Sequence, residues 1–123
     1  MVEKTILIIE DEDFIATAMS KALKNEGYNV IIVSDYKSAI KVIDGVPLNI
    51  VVSDVMLPYA GGFDILDHIK QNINLNQLPV ILVTGMDKEV LLSSKVQADA
   101  IIAKPFDMKQ LVDVVNSFTL VGA

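Results

Sequence analysis

The sequence predicts a doubly wound α/β fold, in which a five-stranded parallel sheet carries helices on both faces. Short β-branched apolar runs alternate along the chain with segments whose apolar residues recur at helical spacing. The runs are apolar on consecutive residues, which is typical of strands that are covered on both faces. Because crossovers between parallel strands are right-handed, five such units place helices on both sides of one sheet.

Five apolar runs are the predicted strands. They are Ile6–Ile9, Val30–Val33, Ile50–Val52, Val80–Val83 and the weaker Ala100–Ala103. Polar side chains that could converge on one site follow four of these runs. The second run is followed only by Ser34 and Asp35, an ordinary start of a helix. We therefore expect the second strand at the sheet edge, outside the first.

Helical stripes fill the gaps between the strands. The first stripe, which Gly27 ends, comprises Ile15, Ala18, Met19, Ala22 and Leu23. The second, which Gly45 ends, comprises Tyr36, Ile40 and Ile43. The third comprises Phe63, Leu66, Ile69 and Ile73. A fourth helix is expected from Asp87 to about Val96, and the last begins at the cap residue Asp107.

Composition limits the chemistry that is available. The 123 residues include no cysteine and one histidine, His68. Disulfides, thiolate nucleophiles, iron–sulfur clusters and cysteine zinc sites are therefore excluded, as are multi-histidine metal sites. His68 lies opposite the apolar stripe of its helix, so we expect it on the solvated surface. Carboxylates, lysines and hydroxyl groups remain as the groups available for catalysis or ligand binding.

The charge balance limits the partners. Sixteen acidic residues stand against ten basic ones, all of them lysine, and the net charge is -6. An acidic chain has no cationic excess with which to displace counterions from phosphates, so we expect no nucleic-acid binding. No apolar run approaches the roughly 18 residues of a membrane span, and the first residues enter a strand without a cleavage site. A single cytoplasmic domain without membrane contact is expected.

Charged and polar residues follow four of the predicted strands. Glu10 and Asp11 follow the first, Asp54 the third, Thr84 the fourth and Lys104 the fifth. The carboxyl ends of parallel strands meet at the sheet edge where such folds bind ligands. Three carboxylates there repel one another unless a cation compensates, and Mg²⁺ prefers such ligands. Because the chain lacks arginine, Lys104 is the point charge for a phosphate, and the Thr84 hydroxyl is a neutral donor.

Four segments at these strand ends resemble the signature segments of the receiver domain of two-component response regulators. They are ILIIEDED, VVSDVMLP, ILVTG and AKPF, in the family's order and with its separations. The resemblance covers essentially the whole chain. It implies a flavodoxin-like (βα)5 fold with the strand order 2-1-3-4-5. It also implies a phosphorelay signalling protein, not an enzyme that turns over an external substrate. Residues 1–123 are accordingly expected to form one receiver domain, with no output domain.

The resemblance implies a role for each matching residue. Asp54 is the phosphoacceptor, which takes a phosphoryl group from a sensor histidine kinase or a histidine phosphotransfer protein and becomes an aspartyl phosphate. Asp11 and Asp54 bind Mg²⁺ directly. The backbone carbonyl of Met56 is a third protein ligand, and Glu10 acts through water.

Lys104 and Thr84 are implied to contact the phosphoryl oxygens after transfer. The shift of Thr84 then biases an inactive-to-active equilibrium in a face made by the fourth helix, the fifth strand and the fifth helix, which a downstream effector, an output domain or a second copy would read. The family often has an aromatic residue where this chain has Ile101. Because an aliphatic side chain cannot make the same ring movement, we expect the signal to travel through loop or fourth-helix movement.

Three further positions depart from the family pattern. Met56 and Met86 stand where the family often has polar side chains that orient the water attacking the acyl phosphate. Thioethers cannot orient that water, so we expect slow self-dephosphorylation. Gly61 stands where aspartate is frequent, a change that we expect to matter little for the chemistry.

Two other functions stay open. A phosphatase of the haloacid dehalogenase type also uses an aspartate, Mg²⁺, a threonine and a lysine, and its nucleophile here would be Asp11. Ile15 stands where that family has Thr or Val, and no acidic pair follows Lys104. The second alternative is a receiver-like interaction module that is never phosphorylated, although such modules tend to lose part of the site that this chain retains.

Overall fold

The computed structural model describes residues 3–56, 61–85 and 98–119, through which a five-stranded sheet runs. The strands are β1 (Thr5–Ile9), β2 (Asn29–Val33), β3 (Ile50–Asp54), β4 (Val80–Thr84) and β5 (Ala100–Ala103). Their order is β2-β1-β3-β4-β5, and every neighbouring pair is parallel. The predicted strand order, with β2 at the edge, is confirmed.

Helices follow the strands as the alternating pattern predicts. Within the described ranges they are α1 (Asp13–Asn25), α2 (Tyr36–Gly45), α3 (Gly62–Lys70) and a C-terminal helix (Met108–Thr119). The predicted fourth helix, Asp87–Val96, lies outside the described residues. No helix in the described ranges is long and apolar enough to cross a bilayer.

Apolar side chains cover both faces of the sheet. One face packs against α1 and the C-terminal helix through Met19, Leu23, Leu111 and Val115. The other packs against α2 and α3 through Ala39, Ile43, Ile65, Leu66 and Ile69. Strand residues alternate between the two cores, with Ile6 and Ile8 in the first and Leu7 and Ile9 in the second. This explains why the strand runs are apolar on consecutive residues.

Local chemistry sets several helix ends. Asp35 Oδ1 accepts a hydrogen bond from the Ser38 backbone N–H at 2.8 Å, and this bond lowers the pKa of Asp35. Asp107 Oδ1 accepts one from the Gln110 backbone N–H at 2.7 Å, so the cap predicted there is confirmed. Gly27, just after α1, has a φ of 95°, which residues with a side chain rarely adopt.

The third helix ends earlier than the sequence predicts. It stops at Lys70, and Ile73 is 85% exposed, so the prediction that Ile73 continues the buried stripe is wrong. The Asn72 side chain accepts a hydrogen bond from the Asn74 backbone N–H at 2.9 Å. Such local bonds from asparagine side chains compete with helical hydrogen bonds and favour a turn.

His68 is less solvated than the sequence predicts. Its Nε2 lies 2.8 Å from Oδ1 of Asp44, and its side chain is 27% exposed. Asp44 lies on α2 and His68 on α3, so the pair links the two helices that cover one face. Helical spacing correctly places His68 off the buried stripe of α3, but spacing alone does not show that α2 lies alongside.

The pair Ile69→Ala and Ile73→Ala tests where α3 ends. Ile69 is fully buried at 0% exposure, whereas Ile73 is 85% exposed. Truncating a buried isoleucine to alanine lowers the free energy of unfolding by about 2–5 kcal/mol. At an exposed site the change stays within about 0.5 kcal/mol. Urea denaturation of both variants measures this difference, and equal losses would contradict the early end of α3.

Candidate functional site

Five side chains reach the carboxyl edge of the sheet from four strand ends. Asp54 and Thr84 are the last residues of the neighbouring strands β3 and β4, whereas Glu10 and Asp11 follow β1, and Lys104 follows β5. β1 and β4 lie on either side of β3, so the residues at their ends surround Asp54. β5 is one strand further away, and the long lysine side chain reaches back over the end of β4.

Three carboxylates meet at this edge. One oxygen from each of Glu10, Asp11 and Asp54 lies within 4.8 Å of the other two. Glu10 is 3% exposed and Asp54 8%, whereas Asp11 is exposed. Negative charges at this spacing repel one another strongly where water is partly excluded. The structure thus brings together the three carboxylates that the sequence predicts to converge.

Lys104 compensates part of this charge. Its Nζ lies 2.9 Å from Oδ2 of Asp54 and 3.5 Å from Oε1 of Glu10. Partial burial lowers the pKa of the Lys104 ammonium, but the hydrogen bond and charge of Asp54, aided by Glu10, outweigh it and raise the pKa overall. The Lys104 backbone N–H also donates to the carbonyl oxygen of Thr84 at 2.7 Å, which fixes the residue at the end of β4.

Glu10 is the most deeply buried acid of the site. Among the described residues, neither of its buried carboxylate oxygens accepts a hydrogen bond. Burial, followed by the neighbouring Asp54 carboxyl, raises the pKa of Glu10 to about 8. Buried carboxylate oxygens without partners, beside two further carboxylates, suit a hard divalent cation such as Mg²⁺. The donor set therefore fits the metal that the sequence predicts.

Neighbouring groups hold the Asp54 carboxylate from both sides. Oδ1 accepts a hydrogen bond from the Met56 backbone N–H at 3.1 Å, and Oδ2 accepts one from Lys104 at 2.9 Å. Ser53, which is fully buried, donates from Oγ to the Asp54 carbonyl oxygen at 2.9 Å. The sequence reasoning missed Ser53. Its signal is a hydroxyl residue inside an apolar strand, where every polar group needs a partner.

The start of α3 packs closely against the backbone that carries Asp54. A Cβ atom at Gly62 would lie 2.6 Å from the Asp54 carbonyl oxygen, and one at Gly61 would collide with the Val55 carbonyl oxygen. The Gly62 N–H instead donates to that Val55 oxygen at 2.9 Å. Glycine at position 61 thus has a packing role that the expected family aspartate could not fill without backbone movement.

The remaining residues predicted for the site lie in different surroundings. Thr84 is 1% exposed at the end of β4. The Met56 side chain is 70% exposed. Ile101 pairs with Leu82 inside the sheet and packs against the core on the α2 and α3 face. Met86 lies outside the described residues.

An apolar groove adjoins the site. Its outermost side chain is Phe14, which is in the first turn of α1 and 88% exposed. The groove has a volume of about 460 Å³ and is lined by Phe14, Ile15, Ala18, Lys104, Pro105, Phe106 and Met108. The Lys104–Pro105 peptide bond at its floor is cis. Because Lys104 belongs to both features, a molecule bound in the groove would lie beside Asp54.

Comparison with known proteins identifies a family that this chain matches. The family model of the response regulator receiver domain matches residues 6–116. Among curated proteins, the alkaline phosphatase synthesis transcriptional regulatory protein PhoP of Bacillus subtilis is 31% identical over 110 residues, which are 88% of this chain and 45% of PhoP. The chain spans about half the length of the curated relatives it matches.

Solved structures show the same fold. The receiver domain of a signal transduction histidine kinase from Syntrophus aciditrophicus has a TM-score of 0.89 and 26% identity, covering 97% of this chain and 92% of that one. The receiver domain of the sensor histidine kinase PA1611 from Pseudomonas aeruginosa has a TM-score of 0.85 and 22% identity, covering 95% and 98%. The PA1611 structure holds a magnesium ion coordinated in its active-site cleft.

The raised pKa of Glu10 predicts a pH dependence of stability without metal. With a pKa of about 8 when folded and 4.5 when unfolded, the folded chain keeps a proton on Glu10 that the unfolded chain loses. Stability in EDTA should therefore fall as the pH rises from 5 to 8.5, and Mg²⁺ should restore part of it at the higher pH. Glu10→Gln, which cannot ionise, should flatten the dependence.

Thermal unfolding of both proteins across this pH range, with and without Mg²⁺, measures the effect. Asp13→Asn, an exposed acid on α1, is the matched control and should leave the slope unchanged. If Glu10→Gln lost stability with rising pH as steeply as the parent, the buried Glu10 would not be the group responsible.

Proposed function

The chain belongs to the family of response regulator receiver domains, and we propose that Asp54 is the residue on which it accepts a phosphoryl group. The observation that carries this proposal is the place of Asp54 at the centre of the site. It is the carboxylate that contacts Lys104 directly, at 2.9 Å, while lying within 4.8 Å of the other two acids. A nucleophile needs this combination of restraint and nearby positive charge.

In the proposed reaction, an Asp54 carboxylate oxygen attacks the phosphorus of a phosphohistidine on the donor. The new O–P bond forms as the P–N bond breaks, and the imidazole nitrogen leaves with the electron pair. The product is an acyl phosphate on Asp54. Phosphoryl transfer depends mainly on positioning and on neutralising charge. The Met56 N–H and Lys104 position the carboxylate, and Lys104 compensates charge on the phosphoryl oxygens.

Mg²⁺ is the proposed cofactor. When bound, it supplies positive charge at the phosphoryl oxygens. Asp11 and Asp54 would hold it directly together with the Met56 carbonyl, and Glu10 would act through water. The partnerless oxygens of Glu10 support this set, and so does the magnesium ion in the PA1611 receiver. A cation here would also relieve the repulsion among the three acids.

A protein phosphodonor, a histidine kinase or a histidine phosphotransfer protein, is the proposed partner. The exposed Phe14 and the groove beside Lys104 support a macromolecular donor, because an apolar surface next to a reactive carboxylate suits a docking protein. We propose that residues 1–123 act as one receiver domain, whose output lies with a downstream effector or with further sequence. Three expectations remain predictions: the Thr84 switch, a signal through loop or fourth-helix movement in place of a ring movement at Ile101, and dimerisation of the face formed with the fourth helix.

The phosphatase alternative needs Asp11 as its nucleophile. Asp11 is exposed, and the Lys104 ammonium contacts Asp54 and Glu10, the other two acids. This geometry favours Asp54. A receiver modifies itself and turns over no external substrate, so we propose a signalling role without enzymatic turnover.

Phosphorylation with a small donor tests the function. Incubation with acetyl phosphate and Mg²⁺ should add one phosphoryl group to Asp54, which mass spectrometry of peptides can locate. Asp54→Asn should abolish the addition, because an amide cannot form the acyl phosphate, whereas Glu12→Gln, an exposed neighbour of the site, should retain it. Modification of Asp11 with release of phosphate would support the phosphatase, and no addition at all would support the silent module.

Slow loss of the phosphoryl group is a further expectation. Met56 presents an exposed thioether two residues after Asp54, and a thioether cannot orient an attacking water. Met56→Asn should shorten the half-life of the phosphorylated chain in Mg²⁺ buffer several-fold, and Met56→Leu should leave it unchanged. A fast decay of the parent that neither variant alters would contradict this reading.

A further inference from the structure

The lysines in the described residues fall into two groups. Four donate a hydrogen bond or form an ion pair: Lys4, Lys70, Lys104 and Lys109. The other four have no such partner among the described residues and are exposed: Lys21, Lys24, Lys37 and Lys41. The first two of these lie on α1 and the last two on α2, the helices that directly precede and follow the edge strand β2. Among the described residues, the lysines without a partner thus all lie on the two helices adjacent to β2 in the sequence.

The outer edge of β2 has backbone groups open to pairing. The Asn29 N–H donates to Lys4, and the Val33 carbonyl accepts from Glu10, both on the β1 side. Because backbone groups alternate sides along a strand, Val30 and Ile32 present their N–H and C=O groups to the outside. No strand pairs with this edge among the described residues.

Side chains of β2 and α1 form a groove beside this edge. Ile32 is 43% exposed, although it lies in a strand. It lines a groove of about 490 Å³ with Thr17, Ser20, Lys21, Lys24 and Asn25 of α1. An exposed apolar side chain, open backbone groups and cationic side chains thus occur together at an edge that β1 separates from β3, the strand of Asp54.

We propose that the outer edge of β2 binds an acidic, extended segment of a partner protein, which adds a sixth strand to the sheet. The strand gains main-chain hydrogen bonds from Val30 and Ile32 and packs an apolar side chain on Ile32. Its acidic side chains face the lysines of α1 and α2. This binding is independent of phosphorylation at Asp54.

Charge favours an acidic strand over two other candidate occupants of this edge, a second copy of the chain and a nucleic acid. A second copy that paired β2 with β2 would bring the lysines of both copies together, and like charges across an interface are unfavourable. A nucleic acid would meet the same lysines but also the net charge of -6. The lining of the groove holds two lysines and no acid, and an acidic strand, unlike a nucleic acid, also pairs with the open backbone edge.

The test uses the full chain and a synthetic peptide in which several glutamates flank one central valine on each side, so that acidic side chains lie on the face of the valine as well as on the opposite face. At low salt, binding should slow amide hydrogen exchange at Val30 and Ile32. Lys24→Glu should weaken binding about fivefold, whereas Lys109→Glu, an equal charge change on the C-terminal helix, should leave it nearly unchanged. Ile32→Pro removes one outward N–H that no strand in the fold uses and should abolish binding. Asp54→Asn should bind like the parent.

Several results would overturn the proposal. If Lys24→Glu and Lys109→Glu weakened peptide binding equally, the net charge of the chain alone would explain the effect. Protection that falls outside β2, or no binding at millimolar peptide, would exclude the edge. Tighter binding of duplex DNA or of phosphatidylserine vesicles at the same lysines would assign the surface to a polyanion instead.

Discussion

The crowding of three carboxylates around one lysine is the constraint on which the rest of the site depends. Glu10 and Asp54 are nearly buried, so their repulsion is weakly screened by water. Lys104 contacts both, and its single charge does not balance the three acids. Burial, followed by the neighbouring Asp54 carboxyl, raises the pKa of Glu10 to about 8. A bound divalent cation would relieve the repulsion among the three acids. Asp54 is the carboxylate that we propose to react.

Such a site needs a rigid support. Two apolar cores pack against the sheet, one on each face. The first lies beneath α1 and the C-terminal helix and the second beneath α2 and α3. Parallel strands bring their carboxyl ends to the same edge, which places Asp54 between the ends of β1 and β4. The close packing of Gly62 on the Asp54 backbone adds a further restraint. Burial energy from the cores thus offsets the electrostatic cost of the site.

Sequence patterns predicted best where one local rule decides the outcome. Consecutive apolar residues identified all five strands, and the Asp35 and Asp107 caps follow from local hydrogen bonding. The pattern failed at Ile73, where an asparagine turn ends α3 although the apolar spacing continues. It correctly placed His68 off the buried stripe but did not identify Asp44 of α2 as its partner, because a periodicity describes one helix and not its neighbours.

The sequence by itself determined the five strands, the edge position of the second strand, the set of residues at the strand ends and the oxygen-based chemistry, because periodicity and composition leave few alternatives. The tertiary structure decided the contacts, the hydrogen bonding and the burial of those residues. It made Lys104 contact Asp54 and left Glu10 without a hydrogen bond among the described residues, and it left Ile32 exposed beside unpaired lysines. Distances, burial and open edges arise between segments far apart in the chain, which no local pattern encodes.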